Sequence, residues 1–399
     1  MCMIVKIDKL SHDLRGITKI DNKITFIPKT LPEEVVNIRI TKQKKKFNEG
    51  CLTTIIEESK DRVKYICPYY DICGGCDTGH ILYSKSIMYK KDMVVDIFKR
   101  YCDMDVDMDI VYDDDNIYNY RNKITLRVND GKLALVGESL VNIDYCYLVN
   151  DNINKVIGIL NGICLDGIDE VIIRGTDEIM VIIKGNIDND KLIQILKDNV
   201  SSIFINGVKV FGNDYVMINV GNYRYAVYPD SFFQVNTKMI SRLYDKVLEF
   251  AGRGDKLLDL YCGAGTIGIY LANNFNSVRG IEQNESAIKG ANLNKGINDI
   301  KNISFVCEKA SDINEIVEDV VVVDPPRSGL DSTTIKRILD SRIERLIYVS
   351  CNPITLARDI NILKDKYNLV GMSLFDMFPN TSHAECVSVL YRKNFEKYS

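Results

Sequence analysis

No run of about 18 uncharged apolar residues occurs anywhere in the chain, which excludes a membrane-spanning helix. An excess of one charge is missing as well. Lys and Arg number 51 against 55 Asp and Glu, a formal net charge of -4, so any surface for nucleic acid has to be a local patch. Histidine is scarce, with 3 in the chain, and only His80 lies near a cysteine cluster. An export signal is missing too: Met1-Cys2-Met3-Ile4-Val5-Lys6 runs straight into a strand-like pattern. The 12 cysteines are therefore expected in a reducing cytosol, where metal ligation or catalysis outranks disulfides. What the chain does have is length and core. Its 399 residues, 46% hydrophobic and 27% charged, describe a soluble globular protein of two or three domains.

Residues 1–58 carry short β-type runs separated by polar stretches: Ile4-Val5-Lys6-Ile7, Ile24-Thr25-Phe26-Ile27, Val35 to Ile40, and Thr53-Thr54-Ile55-Ile56. Four or five short strands in so small a segment suggest a closed β-barrel of the oligonucleotide-binding type. Here 11 Lys and Arg face 8 Asp and Glu, and Lys42, Lys44, Lys45 and Lys46 share one expected loop. That loop reads either as a solvated turn or as a contact with nucleic-acid backbone.

Cys67, Cys73 and Cys76 then form a C-x5-C-x2-C array around Gly74-Gly75. Three thiols this close have metal-ligand spacing, with a fourth to come from afar as in many iron–sulfur sites. Zinc is the alternative, although its cysteines usually come as two C-x2-C units or with histidine, and His80 reads as incidental. Cys146 is preferred as the distant ligand over Cys102 and Cys164. Between them, residues 81–101 place Leu82, Ile87, Met88, Met93, Val94, Ile97 and Phe98 among lysines as one amphipathic helix. The acidic stretch from Asp103 to Asp115 reads as a solvated connection. Tyr120 to Val128 alternates as a strand, either an RNA contact or an exposed edge, and strands with two helices continue to residue 228.

From about residue 230 strands and helices alternate, the pattern of a mostly parallel sheet. Lys256 to Tyr261 is a strand, Cys262 to Gly268 a glycine-rich turn into a helix, and Val278 to Glu282 a second strand ending in an acid. Glycines let the backbone approach a nucleoside, and an acid at the next strand end can accept both ribose hydroxyls. With Asp259 before the turn and Glu282 after it, an S-adenosylmethionine site fits better than a dinucleotide site. Val320 to Val323 is a buried strand that delivers Asp324 to the same edge. Leu346 to Val349 is another, followed by Cys351 and, from Pro353, a helix. A lone cysteine is more often an inert core residue, yet the nearby helix start is expected to favour the thiolate of Cys351. Phe375 to Glu385 closes one more strand and brings Glu385 to that edge as a candidate base.

These stretches resemble, over nearly the full length, the RNA 5-methyluridine methyltransferases, and among them the ribosomal type with an N-terminal TRAM domain and a [4Fe-4S] cluster. The motifs that carry the resemblance are Ser231-Phe232-Phe233-Gln234-Val235-Asn236, Asp259 to Gly268, Asp324-Pro325-Pro326-Arg327, Ser350 to Asp359 and Phe378 to Glu385. The resemblance implies an α/β protein: a TRAM-like barrel at 1–58, a central α+β iron–sulfur domain at 59–229, and a Rossmann-like class I methyltransferase domain at 230–399. It implies Cys351 as nucleophile and Glu385 as general base. Gln234, Tyr261, Gly263, Glu282 and Asp324 are implied to contact S-adenosylmethionine or the pyrimidine, and Cys67, Cys73, Cys76 and Cys146 to hold the cluster. The expected partner is RNA, 23S ribosomal RNA first, for a monomer in the cytoplasm. A tRNA uridine methyltransferase and a non-catalytic RNA-binding protein on the same scaffold are the alternatives. The second would have no chemical need for Cys351 and Glu385 together.

Overall fold

A computed structural model of the chain describes residues 2–393. Six strands, Cys2–Lys6, Lys9–Leu10, Gly16–Ile20, Lys23–Ile27, Val35–Gln43 and Phe47–Glu57, make one sheet. Its two ends are the halves of one bent segment. Cys2–Lys6 pairs with Val35–Gln43, Lys9–Leu10 pairs with Gly16–Ile20, and the bend between them closes the sheet into a barrel. Ile7, Ile27, Val36 and Ile38 fill the interior. The strand Gly16–Ile20 is not an apolar run in the sequence because its inward positions are Gly16 and Thr18. A Cβ at Gly16 would stand 2.0 Å from Thr30 Oγ1, so only glycine permits that approach. Lys44 to Lys46 occupy the turn between the two long strands.

The barrel is fastened to the central part of the chain by Arg62, which donates to both carboxylate oxygens of the buried Glu34 and to the carbonyl of Lys29. That central part is a seven-stranded sheet in the spatial order Leu140–Asn142, Lys132–Val136, Lys123–Asn129, Ile168–Gly175, Ile179–Gly185, Ser202–Ile205, Val208–Gly212. Helices Asp151–Asn161 and Asn189–Leu196 pack on it, burying Ile153, Ile157 and Leu192 against Leu126, Val171 and Val181. A separate hairpin, Val216–Val220 with Tyr223–Val227, leads onward.

The last sheet has eight strands in the order Ile303–Cys307, Phe275–Glu282, Gly254–Leu260, Val320–Val323, Arg345–Ser350, Glu385–Arg392, Tyr367–Phe375, Asp109–Val111. The first five are parallel, and Glu385–Arg392 runs antiparallel to both of its neighbours. The all-valine strand Val320–Val323 is buried throughout, as a strand covered on both faces must be. The eighth strand corrects one expectation: the acidic stretch is not a solvated connection throughout but contributes Asp109–Val111, parallel to Tyr367–Phe375. Ile110 and Val111 carry the pairing, and the charge of Asp109 sits on the exposed edge, where it discourages further strands. Helix Tyr83–Cys102 also joins this domain. Its buried face of Met93, Val94, Ile97 and Phe98 meets Leu356, Ala357, Ile360 and Leu363 of helix Pro353–Leu363. At about 1.5–3 kcal/mol per fully buried large apolar side chain, that face is ample reason for the helix to dock there. Among the described residues no helix is long and apolar enough to cross a membrane.

Candidate active site

Strand Gly254–Leu260 has Phe275–Glu282 on one side and Val320–Val323 on the other, and the chain leaves the centre in opposite directions there. Such a switch point opens a crevice at the carboxyl ends of the strands. The turn that enters it is tight. Tyr261, Gly263 and Gly265 all take positive φ, at 63°, 53° and 77°. A non-glycine residue in that conformation is costly and persists where the surroundings impose it. A Cβ at Gly265 would lie 2.5 Å from the Phe305 ring, so the turn is packed against the sheet as closely as glycine allows.

Glu282 ends its strand facing this turn, and its carboxylate accepts from the N–H of Gly263 at 3.3 Å and of Asn284 at 2.8 Å. A cavity of about 190 Å³ opens beside it, lined among others by Tyr261, Glu282, Gln283, Glu308, Gly329 and Asp331. The Tyr261 hydroxyl stands 3.5 Å from the Asp331 carboxylate at the cavity rim. Gly263 is thus joined to Glu282, while Asp324 and Gln234 are outside that lining. Asp259 does not face it either. It is fully buried, its Oδ2 accepts from Gly268 N–H at 2.8 Å, and burial pushes its carboxyl up to about 8. Its place is under the turn.

Deeper along the same edge, pairing places the reactive groups. Ser350 lies opposite Cys386, so the next positions, Cys351 and Glu385, are neighbours at the strand ends. Val323 lies beside Tyr348, which sets Asp324 beside Val349, two positions before Cys351, close enough for its charge to act on both Cys351 and Glu385. Glu385 is 1% exposed and its Oε1 has no hydrogen-bond partner among the described residues. A buried carboxyl without a partner favours its protonated form, and burial first, then the charge of Asp324, push Glu385 well above the carboxylate range. Burial pushes Asp324 up to about 7.

The expectation for Cys351 is reversed here. Burial, then Glu385, then Asp324, push its thiol up to about 11, and only Arg327 and the backbone act the other way. The helix start gives little help because Asn352 occupies it: its side chain accepts from Ile354 N–H at 3.1 Å. Arg327 closes the Asp324-Pro325-Pro326-Arg327 motif, and the sequence alone assigns it no role. Its carbonyl accepts from Asn352 Nδ2 at 2.9 Å and from Thr355 Oγ1 at 3.2 Å, tying the loop after Asp324 to the loop after Cys351.

Residues 376–384, which lead into Glu385, are anchored by groups remote in sequence. Lys90, 1% exposed, makes a 2.6 Å ion pair with the equally buried Asp376, which also accepts from the Tyr83 hydroxyl at 2.8 Å. The Tyr120 hydroxyl donates to the carbonyl of Pro379, Asn236 Nδ2 to that of Met377, and Asn380 Nδ2 to that of Ile117. Gln234 sits on the loop before Asn236, and its carbonyl accepts from Asn122 Nδ2. None of these anchors shows in the local sequence pattern.

The cysteine array lies elsewhere. Cys67, Cys73, Cys76 and Cys146 line one cavity of about 70 Å³ with Tyr65, Arg121 and other side chains. Cys102 is buried against Ala357, and Cys164 is exposed. Burial pushes the Cys76 thiol up to about 12 and raises Cys67 and Cys146, with the other cysteines adding to the rise. His80 is outside this lining, hydrogen-bonded to the Tyr70 hydroxyl at 2.7 Å. Among the described residues no group of three or more His, Cys, Asp or Glu is arranged to hold a metal ion, the expected cluster ligands included.

A family model described as tRNA (Uracil-5-)-methyltransferase matches residues 207–320 and 308–393, and one described as TRAM domain matches residues 3–53. The chain is 33% identical to an uncharacterized RNA methyltransferase of Halalkalibacterium halodurans over 98% of this chain and 97% of that one. It is 31% identical to an uncharacterized RNA methyltransferase of Staphylococcus aureus over 96% of each. The crystal structure of the Pyrococcus abyssi tRNA (uracil-54, C5)-methyltransferase in complex with S-adenosyl-L-homocysteine matches with a TM-score of 0.82 at 26% identity, covering 97% of this chain and 100% of that one.

Proposed function

The chain belongs to the RNA (uracil-5-)-methyltransferase family, S-adenosylmethionine-dependent enzymes, and from that premise we propose that it methylates C5 of a specific uridine in 23S ribosomal RNA through a covalent bond between Cys351 and C6. The observation that carries the reading is the pairing that sets Cys351 beside Glu385 at the sheet edge, with Asp324 at the end of the adjacent strand beside Val349.

Uracil C5 is too weak a nucleophile to take a methyl group unaided, and C6 is the electrophilic end of a conjugated alkene. The Cys351 thiolate adds to C6, and the resulting enolate makes C5 nucleophilic. When bound, S-adenosylmethionine supplies the methyl group as a sulfonium. Tyr261, Gly263 and Glu282 would hold it, with the Glu282 carboxylate as acceptor for its ribose hydroxyls, and Gln234 and Asp324 would contact the pyrimidine. Asp324, pushed up to about 7, exchanges protons near neutrality and accepts the one that the Cys351 thiol must lose. After transfer, Glu385 acts in its ionised form: once its own proton, which burial holds on the resting carboxyl, has left, the carboxylate takes the proton from C5, the C6–S bond breaks, and Cys351 leaves as thiolate.

The four cysteines around one cavity suit a [4Fe-4S] cluster, whose cubane takes four thiolates and spaces them wider than a single ion does. Cys67, Cys73, Cys76 and Cys146 would hold it, and bound iron would keep as thiolates groups that burial otherwise keeps protonated. In this reading residues 1–58 and 59–229 bind RNA and hold the cluster, residues 230–399 carry out the transfer, and the protein works as a cytoplasmic monomer.

A tRNA substrate is the second reading, favoured by the match to the Pyrococcus abyssi tRNA enzyme along almost this entire chain, barrel and cysteine region included. Mapping 5-methyluridine in 23S ribosomal RNA and in tRNA from cells with and without the gene tests both. A site lost from 23S RNA supports the first, a site lost from tRNA the second, and no loss from either overturns the proposal.

A further inference from the structure

Glu385 is pinned from one side only. Its own strand pairs with Arg345–Ser350 and Tyr367–Phe375, but residues 376–384 before it have no regular structure. Its Oε1 has no hydrogen-bond partner among the described residues, so the direction of the carboxyl follows from where the backbone is held. The hold nearest to Glu385 comes from beside the cysteine array. Asp77 directly follows Cys76, and its carboxylate accepts from Ser382 twice: from the backbone N–H at 2.7 Å and from the hydroxyl at 2.7 Å. The N–H groups of Asp77 and Thr78 both donate to the carbonyl of Asn380 at 3.2 Å. The cysteine loop and the loop that delivers Glu385 are thereby clasped along two adjacent residues. Hydrogen bonds to a carboxylate are about twice as strong as neutral ones.

We propose that Asp77 is a positioning residue for Glu385: its clasp on Ser382 sets the carboxyl at the place where it meets the C5 proton. This rests on the reading of Glu385 as the base. Cys351 does not depend on the clasp, because its loop is tied instead to Arg327 through Asn352 and Thr355. Removal of the Asp77 carboxylate therefore spares attack and methyl transfer and slows proton removal. A mere tether between domains would affect every step alike.

The test uses the full chain with substrate RNA and radiolabelled S-adenosylmethionine, following both the denaturation-resistant protein–RNA adduct and product release in a single turnover. Asp77→Ala should form the methylated adduct at the wild-type rate and release product on the order of 10- to 100-fold more slowly, the size of effect that a small misplacement causes. Asp77→Asn, which keeps one acceptor for Ser382, should recover part of that rate. Ser382→Ala leaves the cysteine loop untouched and removes one of the two carboxylate bonds, so it should show the same split in smaller measure and decides the matter if Asp77→Ala fails to fold. Equal slowing of adduct formation and release, or wild-type rates for both, overturns the proposal. Glu385→Gln run alongside separates the two readings. If it accumulates adduct and the clasp variants do not, Asp77 has no positioning role and Glu385 remains the base. If it turns over freely, the base reading falls and the clasp proposal falls with it.

Discussion

Burial, and after it the carboxyls of Glu385 and Asp324, push the Cys351 thiol up to about 11, and the charge of Arg327 opposes them. A nucleophile held as thiol is inactive until its proton is taken, which guards a reactive sulfur in the absence of substrate. The rate of adduct formation at low RNA concentration should accordingly climb with pH between about 6.5 and 9, since kcat/KM reports the free enzyme's ionisations. Arg327→Gln removes the opposing charge, so its profile should lie at higher pH; a profile that is flat or shifts to lower pH contradicts the electrostatic account. The same chemistry separates the two principal residues. Glu385→Gln should attack and methylate but fail to release, leaving a labelled RNA-linked band on a denaturing gel. Cys351→Ala should give no such band while still binding S-adenosylmethionine. Both residues could be singled out in the sequence, Cys351 by the buried run Leu346 to Val349 before it and Glu385 by the motif Phe378 to Glu385 that carries the resemblance. The protonation state of Cys351 was not legible, because Asp324 and Glu385 reach it from strands that only the folded sheet makes neighbours.

At the level of elements, the catalytic sheet could be read from Val320–Val323 and Arg345–Ser350, whose composition leaves no other use for them. Asp109–Val111 could not, since three residues among aspartates become a strand only when Tyr367–Phe375 offers an edge. Helix Tyr83–Cys102 was readable as amphipathic, yet Lys90 on its buried side carries information that periodicity misses. It faces Asp376 in an ion pair closed to solvent and also reaches the carbonyl of Phe378. Breaking a buried pair strands the other charge. Lys90→Met should therefore lower stability by about 3–5 kcal/mol, visible as a fall in melting temperature. Lys90→Met with Asp376→Leu should recover much of that stability, because no charge is then left buried. If the single substitution is thermally neutral, the pair is not what anchors the segment before Glu385.

For the whole molecule, the proposed reaction requires the target base to leave its stack, which costs a few kcal/mol, and RNA held on the barrel would offset that cost. Protein purified without oxygen should contain about four irons and be brown if Cys67, Cys73, Cys76 and Cys146 hold a cubane; stoichiometric zinc in a colourless protein would replace the cluster with an ion site. The barrel's contribution is electrostatic, and the fold refines its size. Lys42 and Lys44 both flank Glu49, at 3.5 and 3.4 Å, and Lys44 also lies over the Phe47 ring, whereas among the described residues no ion pair is found for Lys45 and Lys46. The four lysines that look equivalent in sequence are thus unequal: Lys42 lies in the strand Val35–Gln43 and Lys44 to Lys46 on the turn, and Glu49 comes from the returning strand. A lysine that no longer neutralises a phosphate lowers the slope of log affinity against log salt by roughly 0.7–0.9. Lys45→Gln with Lys46→Gln should reduce the slope by about twice that amount, and Lys42→Gln with Lys44→Gln by less, since Glu49 already neutralises part of their charge. Binding measured across a salt series decides it: equal slopes for both double variants would mean that RNA displaces Glu49, and an unchanged slope for both would make the turn a solvated one.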